Sequence, residues 1–267
     1  MFRIETHSHT KPASACAGNT GAEIARGYKE AGYDGLIITD HFFNGNSGID
    51  RSLPWEQKVD LFCEGYYSAK EEGDKIGLKV FFGFEYNHAG AEFLVLNLTP
   101  QWLKDHPEVM EYDLVKVFDL IHEHGGFIIH AHPYREAPYL YMIRLYQNHV
   151  DAVEVKNGGN VDRANIMANI YADAYGFPKT CGSDQHWVPG LRGNGMEFDE
   201  DIDTIEDFIN LLKQKKGRFF TCLFFIRGFF SDPLPGCLPE LCCSFPPVCR
   251  EQPVKQRPAG KVPDRCF

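Results

Sequence analysis

Residues 35–41 read Gly-Leu-Ile-Ile-Thr-Asp-His, a short apolar run that ends directly in an acid and a histidine. An apolar run of this length, bounded by turn residues, is typical of a buried strand in a parallel sheet. Outward from this segment the same pattern recurs, and amphipathic stretches with a helical period separate the apolar runs. This alternation predicts an α/β protein with a parallel sheet or a barrel.

The predicted elements cover residues 3–216. Helix starts are marked by Asn19 or Thr20 as an N-cap and by Pro54 in a first turn. A chain of this length is sufficient for one barrel. The predicted strands are 3–7, 35–39, 79–84, 92–96, 127–130, 152–155 and 180–182. The predicted helices are 22–31, 55–72, 112–124, 136–147, 164–175 and 203–216.

The composition excludes several classes of protein. The chain has 267 residues, of which 43% are hydrophobic, and its net charge is −10, which argues against binding to a nucleic-acid backbone. No apolar run approaches the ~20 residues of a membrane span; the longest, residues 219–230, contains Arg227. The N-terminus lacks the apolar region of a secretory signal, so we expect a cytoplasmic protein without membrane contacts.

The composition changes abruptly near residue 217. Residues 218–267 hold six of the nine cysteines and eight of the 16 prolines, and they carry seven basic against four acidic residues. Residues 1–217 therefore carry 20 basic and 33 acidic residues, a net charge of −13. The cysteines of the second segment lack the spacing of a zinc module. We predict a barrel over 1–217 and a poorly ordered Cys/Pro-rich tail over 218–267, for which a shifted reading frame is an alternative origin.

Polar residues follow most of the predicted strands. Carboxyl ends of barrel strands converge on one mouth, and imidazoles with carboxylates suit Zn²⁺, Mn²⁺ or Fe²⁺ better than Mg²⁺. One histidine after a strand usually serves only in hydrogen bonding, but recurrence at separate strands predicts a metal site. Glu154, within a strand, either binds metal or orients a ligand. The strand-end residues are His7, His9, Asp40, His41, Glu85, His130, His132, Asp184 and His186.

Over residues 1–216 the chain resembles the PHP (polymerase and histidinol phosphatase) family. The resemblance lies in THSHT at 6–10, GLIITDH at 35–41, GFE at 83–85, HAHP at 130–133 and GSDQH at 182–186. It implies a distorted (β/α)7 barrel with a metal site at the C-terminal ends of the strands. It also implies two or three divalent metal ions and, most often, phosphoester hydrolysis.

The resemblance assigns the ligands as follows. His7, His9, Glu85 and Asp184 would hold one metal. Glu85 would bridge to a second metal beside His132, and His41 with His186 would hold a third. Asp184, Glu85 and His186 are the candidate catalytic residues.

Two positions depart from the family pattern. Where members supply a further His or Asp after the first motif, this chain has Ala15 and Cys16. Where trinuclear members have a histidine near the end of the strand after Glu85, the polar residue here is Asn97. Cys16 is either a thiolate ligand or a small buried side chain.

The predicted chemistry follows from the metal site. A divalent ion lowers the pKa of its water to about 7, which supplies hydroxide at neutral pH. Asp184 or a ligand histidine could carry the proton to the leaving group. Arg135, three residues beyond His132, is the first candidate for a phosphate contact because its guanidinium binds two oxygens; Lys156 is the second.

We therefore expect a metal-dependent hydrolase that cleaves a phosphomonoester or phosphodiester of a small metabolite. Histidinol-phosphate phosphatase is an alternative on the same fold. A nuclease module is disfavoured by the acidic barrel. A regulatory barrel that has lost part of its metal centre also stays open, because of the departures at Ala15/Cys16 and Asn97.

Overall fold

A computed structural model describes residues 1–188, 190–191 and 193–221 of the chain. Strands and helices alternate along most of this length, as the sequence predicts. The strands are β1 Phe2–Ser8, β2 Gly35–Ile38, β3 Lys79–His88, β4 Ala91–Leu96, β5 Phe127–Ala131, β6 Ala152–Asn157, β7 Lys179–Gly182, β8 Asn194–Phe198 and β9 Arg218–Thr221. The helices are α1 Gly21–Glu30, α2 Trp55–Ile76, α3 Pro100–Asp105, α4 Leu114–Glu123, α5 Asp162–Tyr175 and α6 Ile205–Lys213, and a 3₁₀ turn spans Pro107–Met110.

The strands form one strongly curved sheet in the order β7-β6-β5-β4-β3-β2-β1-β8-β9. The neighbours β1, β2 and β3 are parallel, as are β5, β6 and β7, whereas β4, β8 and β9 pair antiparallel. The segment after β7 returns to β1 through a hydrogen bond from His9 N to Gln185 O of 2.8 Å. This contact makes the barrel nearly closed. The predicted α/β barrel is confirmed, but the described residues form nine strands rather than seven β/α repeats.

The helix starts follow local sequence chemistry. Thr20 caps α1 and forms a capping box with Glu23, in agreement with the predicted N-cap. Pro54 directly precedes α2, which continues to Ile76 and stops at Gly77 in the left-handed conformation with φ 72°. α2 therefore begins at the predicted residue and ends four residues later than predicted.

The predicted helix at 136–147 is wrong. Residues 136–147 are irregular, and Tyr141 is 94% exposed. Pro138 cannot donate a backbone hydrogen bond, and the run Tyr139–Met142 is apolar without a helical period. The sequence analysis also missed α3, β8 and β9, which are short and lack strong periodicity.

An apolar core underlies the barrel. Ile4, Ile37 and Ile129, from β1, β2 and β5, belong to one buried cluster with Phe208 of α6. Each side chain of this kind contributes about 1.5–3 kcal/mol when fully buried. These apolar residues precede the polar residues of their strands, so the core leaves the carboxyl ends of the strands to polar groups.

The sheet extends past the predicted domain boundary. Arg218–Thr221 form β9, which pairs antiparallel with β8, so the barrel continues four residues beyond 217. The remainder of the predicted tail lies outside the described residues, and its order and role stay predictions. No helix in the described part of the chain has both the length and the apolar character needed to cross a membrane.

Candidate metal centre

β1 directs two imidazoles into the mouth of the barrel. His7 and His9 lie on the same face because they are two residues apart, whereas Ser8 between them donates to Ile37 O of β2 at 2.8 Å. The Nδ1 atom of His7 contacts Glu154 Oε1 at 3.1 Å, and that of His9 contacts Ser14 Oγ at 3.2 Å. These contacts place a proton on each Nδ1 and leave each Nε2 as a ligand atom.

Four buried atoms at the mouth make no hydrogen bond: His7 Nε2, His9 Nε2, His41 Nδ1 and Glu85 Oε2. They nevertheless lie close to other site atoms. His7 Nε2 is 3.2 Å from Glu85 Oε1, His41 Nδ1 is 2.6 Å from Glu85 Oε2, and His9 Nε2 is 3.2 Å from Asp184 Oδ1. An unsatisfied buried polar group costs about 1–3 kcal/mol. This donor set therefore fits one or more cations.

The potential ligand atoms form overlapping groups, in each of which all atoms lie within 4.8 Å of one another. Shared members such as His9 and Glu85 indicate neighbouring cation positions rather than one. The structure brings together all seven residues that the sequence analysis proposed as ligands. The groups are His9, His41, His186; His7, Glu85, His132; His7, His9, Asp184; and His41, Glu85, Glu92.

Charge is distributed unevenly among the imidazoles. Burial opposes the charged form of His7, but Glu154, Asp184 and Glu85 raise its pKa well above the usual value. Burial lowers the pKa of His9 well below its usual value, and the adjacent His41 and His186 lower it further. Burial also opposes protonation of His41, yet Glu85 and Cys16 raise its pKa to about 11. The positive charges of protonated His7 and His41 thus lie beside the carboxylates that a bound cation would contact.

The acids that face these imidazoles are ionised. Burial alone would raise the pKa of Glu85, but His7 and His41 hold it well below its usual value. Burial likewise acts against ionisation of Asp184, and His7, His9 and Arg135 hold its pKa well below the usual value. The centre therefore offers ionised carboxylates of the kind that divalent ions bind.

Two of the proposed ligands adopt left-handed backbone conformations. His132, directly after β5, has φ 29°, and Asp184, after β7, has φ 53°. Such conformations cost non-glycine residues about 1–3 kcal/mol and cluster at functional sites. Here they turn the side chains at the ends of two parallel strands toward the common centre.

Glu154 and Asp40 accept hydrogen bonds from the proposed ligand residues and from the loop that follows β1. Glu154 Oε1 accepts from His7, and Glu154 Oε2 accepts from His132 N at 3.0 Å. Glu154 is therefore placed to orient ligands, one of its two predicted roles. Asp40 accepts from the backbone and hydroxyl of Thr10, both at 2.5 Å, and from Ser14 Oγ at 2.7 Å. Asp40 thus fixes the loop that follows β1.

Glu92 is a site residue that the sequence analysis missed. β4 is antiparallel, and the turn before it contains Ala89 with φ 51° and Gly90 with φ 87°. The start of β4 therefore lies at the mouth, and Glu92 Oε2 is 3.5 Å from His132 Nε2. Asn97, at the other end of β4, donates to Gly125 O at 2.9 Å and does not reach the site. The two-residue turn at Ala89-Gly90 is the sequence signal that β4 runs antiparallel to β3 and that Glu92, rather than Asn97, lies at the mouth.

Arg135 lies in the site as predicted. Its guanidinium contacts Asp184 and donates to Asn160 Oδ1 at 3.2 Å and Asn157 Oδ1 at 3.4 Å. Two cavities of about 460 and 500 Å³ open beside the centre, and Arg135, Tyr139 and His186 line both. The two cavities thus give a small molecule access to the site, and Arg135 places a positive charge in the wall of both.

Lys156 is not in the site, so the prediction of a phosphate contact there is wrong. Its Nζ donates to Thr221 Oγ1 of β9 at 2.6 Å. A register shift in β6 between Glu154 and Lys156 breaks the strict alternation of its side chains. As a result Asn157, rather than Lys156, joins Glu154 at the mouth, donating to Glu154 Oε2 at 2.9 Å.

His130 also lies outside the centre, although it precedes His132 by two residues. Its ring stacks on Phe93 with centroids 5.0 Å apart and is in edge contact with Tyr146 and Tyr171. Neither ring nitrogen has a hydrogen-bond partner. His130 is a core residue.

Cys16 lies at the other departure from the expected ligand pattern, in the loop after β1, and its side chain is half-buried. Burial alone would raise the pKa of its thiol, but hydrogen bonds with His186 and His41 lower it to about 6. The prediction left open whether Cys16 is a ligand or a small buried side chain. The structure places it next to two proposed ligands.

The fold and the site define an α/β barrel with a candidate multinuclear metal centre at the strand ends. A family model described as PHP-associated matches residues 162–216. The chain matches no curated protein in sequence. The matching segment runs from α5 to just past α6, and the structural likenesses described next concern the fold.

Three solved structures illustrate the likeness of fold. A two-domain protein from Bacteroides vulgatus containing a predicted PHP-like metal-dependent phosphoesterase has a TM-score of 0.62 at 15% identity, over 82% of this chain and 64% of that one. A proposed metal-dependent phosphoesterase from Bifidobacterium adolescentis has a TM-score of 0.52 at 16% identity, over 79% and 96%. An amidohydrolase from Chromobacterium violaceum with bound sulfate has a TM-score of 0.51 at 14% identity, over 82% and 97%. The chain thus spans less than two thirds (64%) of the Bacteroides protein's length.

Proposed function

We propose that the protein is a metal-dependent hydrolase that cleaves a phosphomonoester or phosphodiester of a small metabolite. The observation that carries the proposal is the cluster of buried ligand atoms without hydrogen-bond partners, from His7, His9, His41 and Glu85, near Arg135. Buried polar atoms without hydrogen-bond partners are rare in native proteins, and a bound ion that contacts them accounts for such atoms. Hydrolases of this kind use two neighbouring divalent ions.

The residues fit divalent cations by chemistry as well as by position. Four sets of donors are available around His9 and Glu85, and each combines imidazole with carboxylate or consists of imidazoles. Zn²⁺, Mn²⁺ and Fe²⁺ accept such mixed nitrogen and oxygen ligands. Bound cations would supply water that ionises near neutral pH and would polarise a phosphoryl or carbonyl oxygen.

The chain's own residues account for the other requirements of phosphoester hydrolysis. Arg135 lines both cavities with a fixed positive charge, and its planar guanidinium can bind two oxygens of a phosphate. His186 lines both cavities and donates from Nδ1 to Asp184 O at 2.9 Å, so Nε2 is the nitrogen that would hold a cation or, when no cation is bound there, move a proton. Asp184 is the second candidate for proton transfer to the leaving oxygen.

The names of the neighbouring structures leave two reaction classes, phosphoester and amide hydrolysis. Arg135 favours the phosphoester class, because a guanidinium in the cavity wall matches a dianionic group better than a neutral amide. Histidinol phosphate is one candidate substrate among small phosphorylated metabolites. We propose no nucleic-acid partner, and a cytoplasmic location stays a prediction.

The test is hydrolysis of an aryl phosphate with Mn²⁺ or Zn²⁺ by the full chain, followed by a panel of phosphorylated metabolites and amides. His9→Ala and Asp184→Asn should each lower kcat at least about 100-fold, the scale of losing one catalytic contribution. Asparagine is chosen because it tolerates the φ of 53° at residue 184. His88→Ala is the matched control, since His88 is an exposed histidine on the strand of Glu85.

His88→Ala should keep the wild-type rate. Undiminished hydrolysis by both site variants after metal removal and reloading would refute the proposed function. Cleavage of amides without cleavage of any phosphoester would refute the phosphoester class and leave a metal-dependent hydrolase.

A further inference from the structure

The side of α5 that faces away from the barrel carries apolar residues where a surface helix usually carries polar ones. Ile166 and Ile170 are about one turn apart, and they are 59% and 54% exposed. Met167, beside them, is also exposed. The residues on the opposite, buried side of the helix are Ala164, Ala168, Tyr171 and Ala172. The described part of the chain therefore leaves both isoleucines of this helix in contact with water.

Two charged residues flank the isoleucines on the same side of α5. Arg163 lies three residues before Ile166, and Asp173 lies three residues after Ile170. With about 3.6 residues per turn, the four side chains lie within roughly 80° of one another around the helix. They therefore form one stripe, which reads basic, apolar, apolar and acidic from the start of the helix to its end.

This stripe is complementary to a second copy of itself that runs in the opposite direction. Residues 163 and 173 are equally far from residue 168, and so are residues 166 and 170. In two antiparallel copies of α5, Ile166 of one copy therefore lies level with Ile170 of the other. In the same arrangement Arg163 of one copy lies level with Asp173 of the other. Reciprocal contacts of this kind are what twofold symmetry produces in a homodimer.

The charges beside the stripe agree with such a contact. Within one chain Arg163 contacts Glu136, and Lys179 Nζ lies 2.6 Å from Asp173 Oδ1. A contact between Arg163 and Asp173 of the second copy would join the two pairs into one row of four charges with alternating sign. Exposed ion pairs contribute little alone, whereas networks of them contribute more. Antiparallel packing also places the positive end of one helix dipole beside the negative end of the other.

We propose that the protein forms a twofold-symmetric homodimer through antiparallel packing of α5 on α5. The isoleucines form the apolar centre of the interface, and the pairs of Arg163 with Asp173 at its two ends fix the antiparallel orientation. Because one helix per chain makes a small interface, we expect a dissociation constant of micromolar order. The proposal goes beyond the proposed function and does not depend on it, since no residue of the stripe is a proposed metal ligand.

The first test is analytical ultracentrifugation of the full chain over a range of concentrations. The wild type should pass from monomer to dimer as the concentration rises. Ile170→Glu should weaken association at least about 100-fold, because it places an unpaired charge in the apolar centre of the interface. Val115→Glu is the matched control, since Val115 is an exposed β-branched residue on α4, and it should associate as the wild type does.

Charge reversal distinguishes the antiparallel dimer from other uses of this face. Arg163→Glu would bring two acids together at both ends of the interface, and Asp173→Arg would bring two bases together there. Each single variant should therefore associate at least about tenfold more weakly than the wild type. An equimolar mixture of the two variants should recover the dimer, because each end of the mixed dimer again pairs an acid with a base.

A wild type that stays monomeric at every concentration would overturn the proposal and would point to a different partner for this face of α5. Association of Ile170→Glu as strong as that of the wild type would also overturn it. A mixture of the two charge variants that associates no better than either one alone would refute the antiparallel arrangement.

Discussion

His130 should make the protein sensitive to acid, and His130→Phe should remove that sensitivity. The ring is fully buried, stacks on Phe93 and makes no hydrogen bond through either nitrogen. Burial, with a smaller contribution from His132, lowers the pKa of His130 from 6.5 to about 3. Phenylalanine keeps the ring contacts and cannot bind a proton.

The size of the effect follows from linkage between protonation and folding. The unfolded chain binds a proton at this residue below pH 6.5, whereas the folded chain does not until about pH 3. Stability is therefore complete above pH 6.5 and is lost as the pH falls. Each pH unit below 6.5 lowers the free energy of unfolding by about 1.4 kcal/mol, so the loss is about 2 kcal/mol at pH 5.

The assay is urea unfolding of wild type and His130→Phe at pH 7.5 and pH 5, both in chelator so that metal binding does not contribute. The other titrating groups are common to both proteins, so the difference in pH dependence isolates residue 130. The wild type should lose about 2 kcal/mol more than the variant between the two pH values. Equal losses would refute the reasoning, since they would show that His130 is solvated or paired.

Four further outcomes follow from the site. Glu154→Gln should weaken Zn²⁺ binding about 10- to 100-fold, because Glu154 orients His7 and the His132 backbone; unchanged affinity by calorimetry would contradict this. Gly182→Ala should also weaken it, since a Cβ there would lie 2.6 Å from His7 Cβ and 2.7 Å from Glu154 Oε1. Zn²⁺ binding near pH 7 should release protons, because His7 and His41 have raised pKa values; binding heats that do not depend on the buffer would contradict this. Zn²⁺ at 100 times its Kd should stabilise the chain by about 2.7 kcal/mol, seen as a higher Tm that chelator reverses.

The sequence predicted which side chains lie together at the mouth, because their positions depend on short-range geometry. His7 and His9 share a face since they are two residues apart at the end of β1, and this does not depend on the rest of the fold. Asp184 follows a parallel strand, whose carboxyl end must lie at the mouth. Periodicity and local motifs were sufficient for such residues.

Residues whose placement depends on strand direction or register were not predictable in the same way. Glu92 was missed because β4 reverses through a two-residue turn, which an apolar run of six residues does not reveal. Lys156 was misplaced because a register shift in β6 changes which side chain faces the centre. Both outcomes depend on pairing with neighbouring strands rather than on the segment itself.

The irregular segment 136–147 shows the limit of apolar content as a signal. Its apolar side chains suggested a helix, but Pro138 removes a backbone donor and Tyr141 is exposed to solvent. Arg135, just before this segment, nevertheless lies beside the centre, where it contacts Asp184. A site residue can thus be predicted from its distance to a ligand even where the local structure is not.

The metal content of the chain tests the central claim most directly. The full-length protein is stripped with chelator, reloaded with Zn²⁺, passed over a desalting column and measured by elemental analysis beside Asp184→Asn and His88→Ala. The account predicts two or three zinc ions per wild-type and His88→Ala chain, and at least one fewer in Asp184→Asn. Fewer than one ion per wild-type chain, or equal zinc in all three proteins, would contradict it.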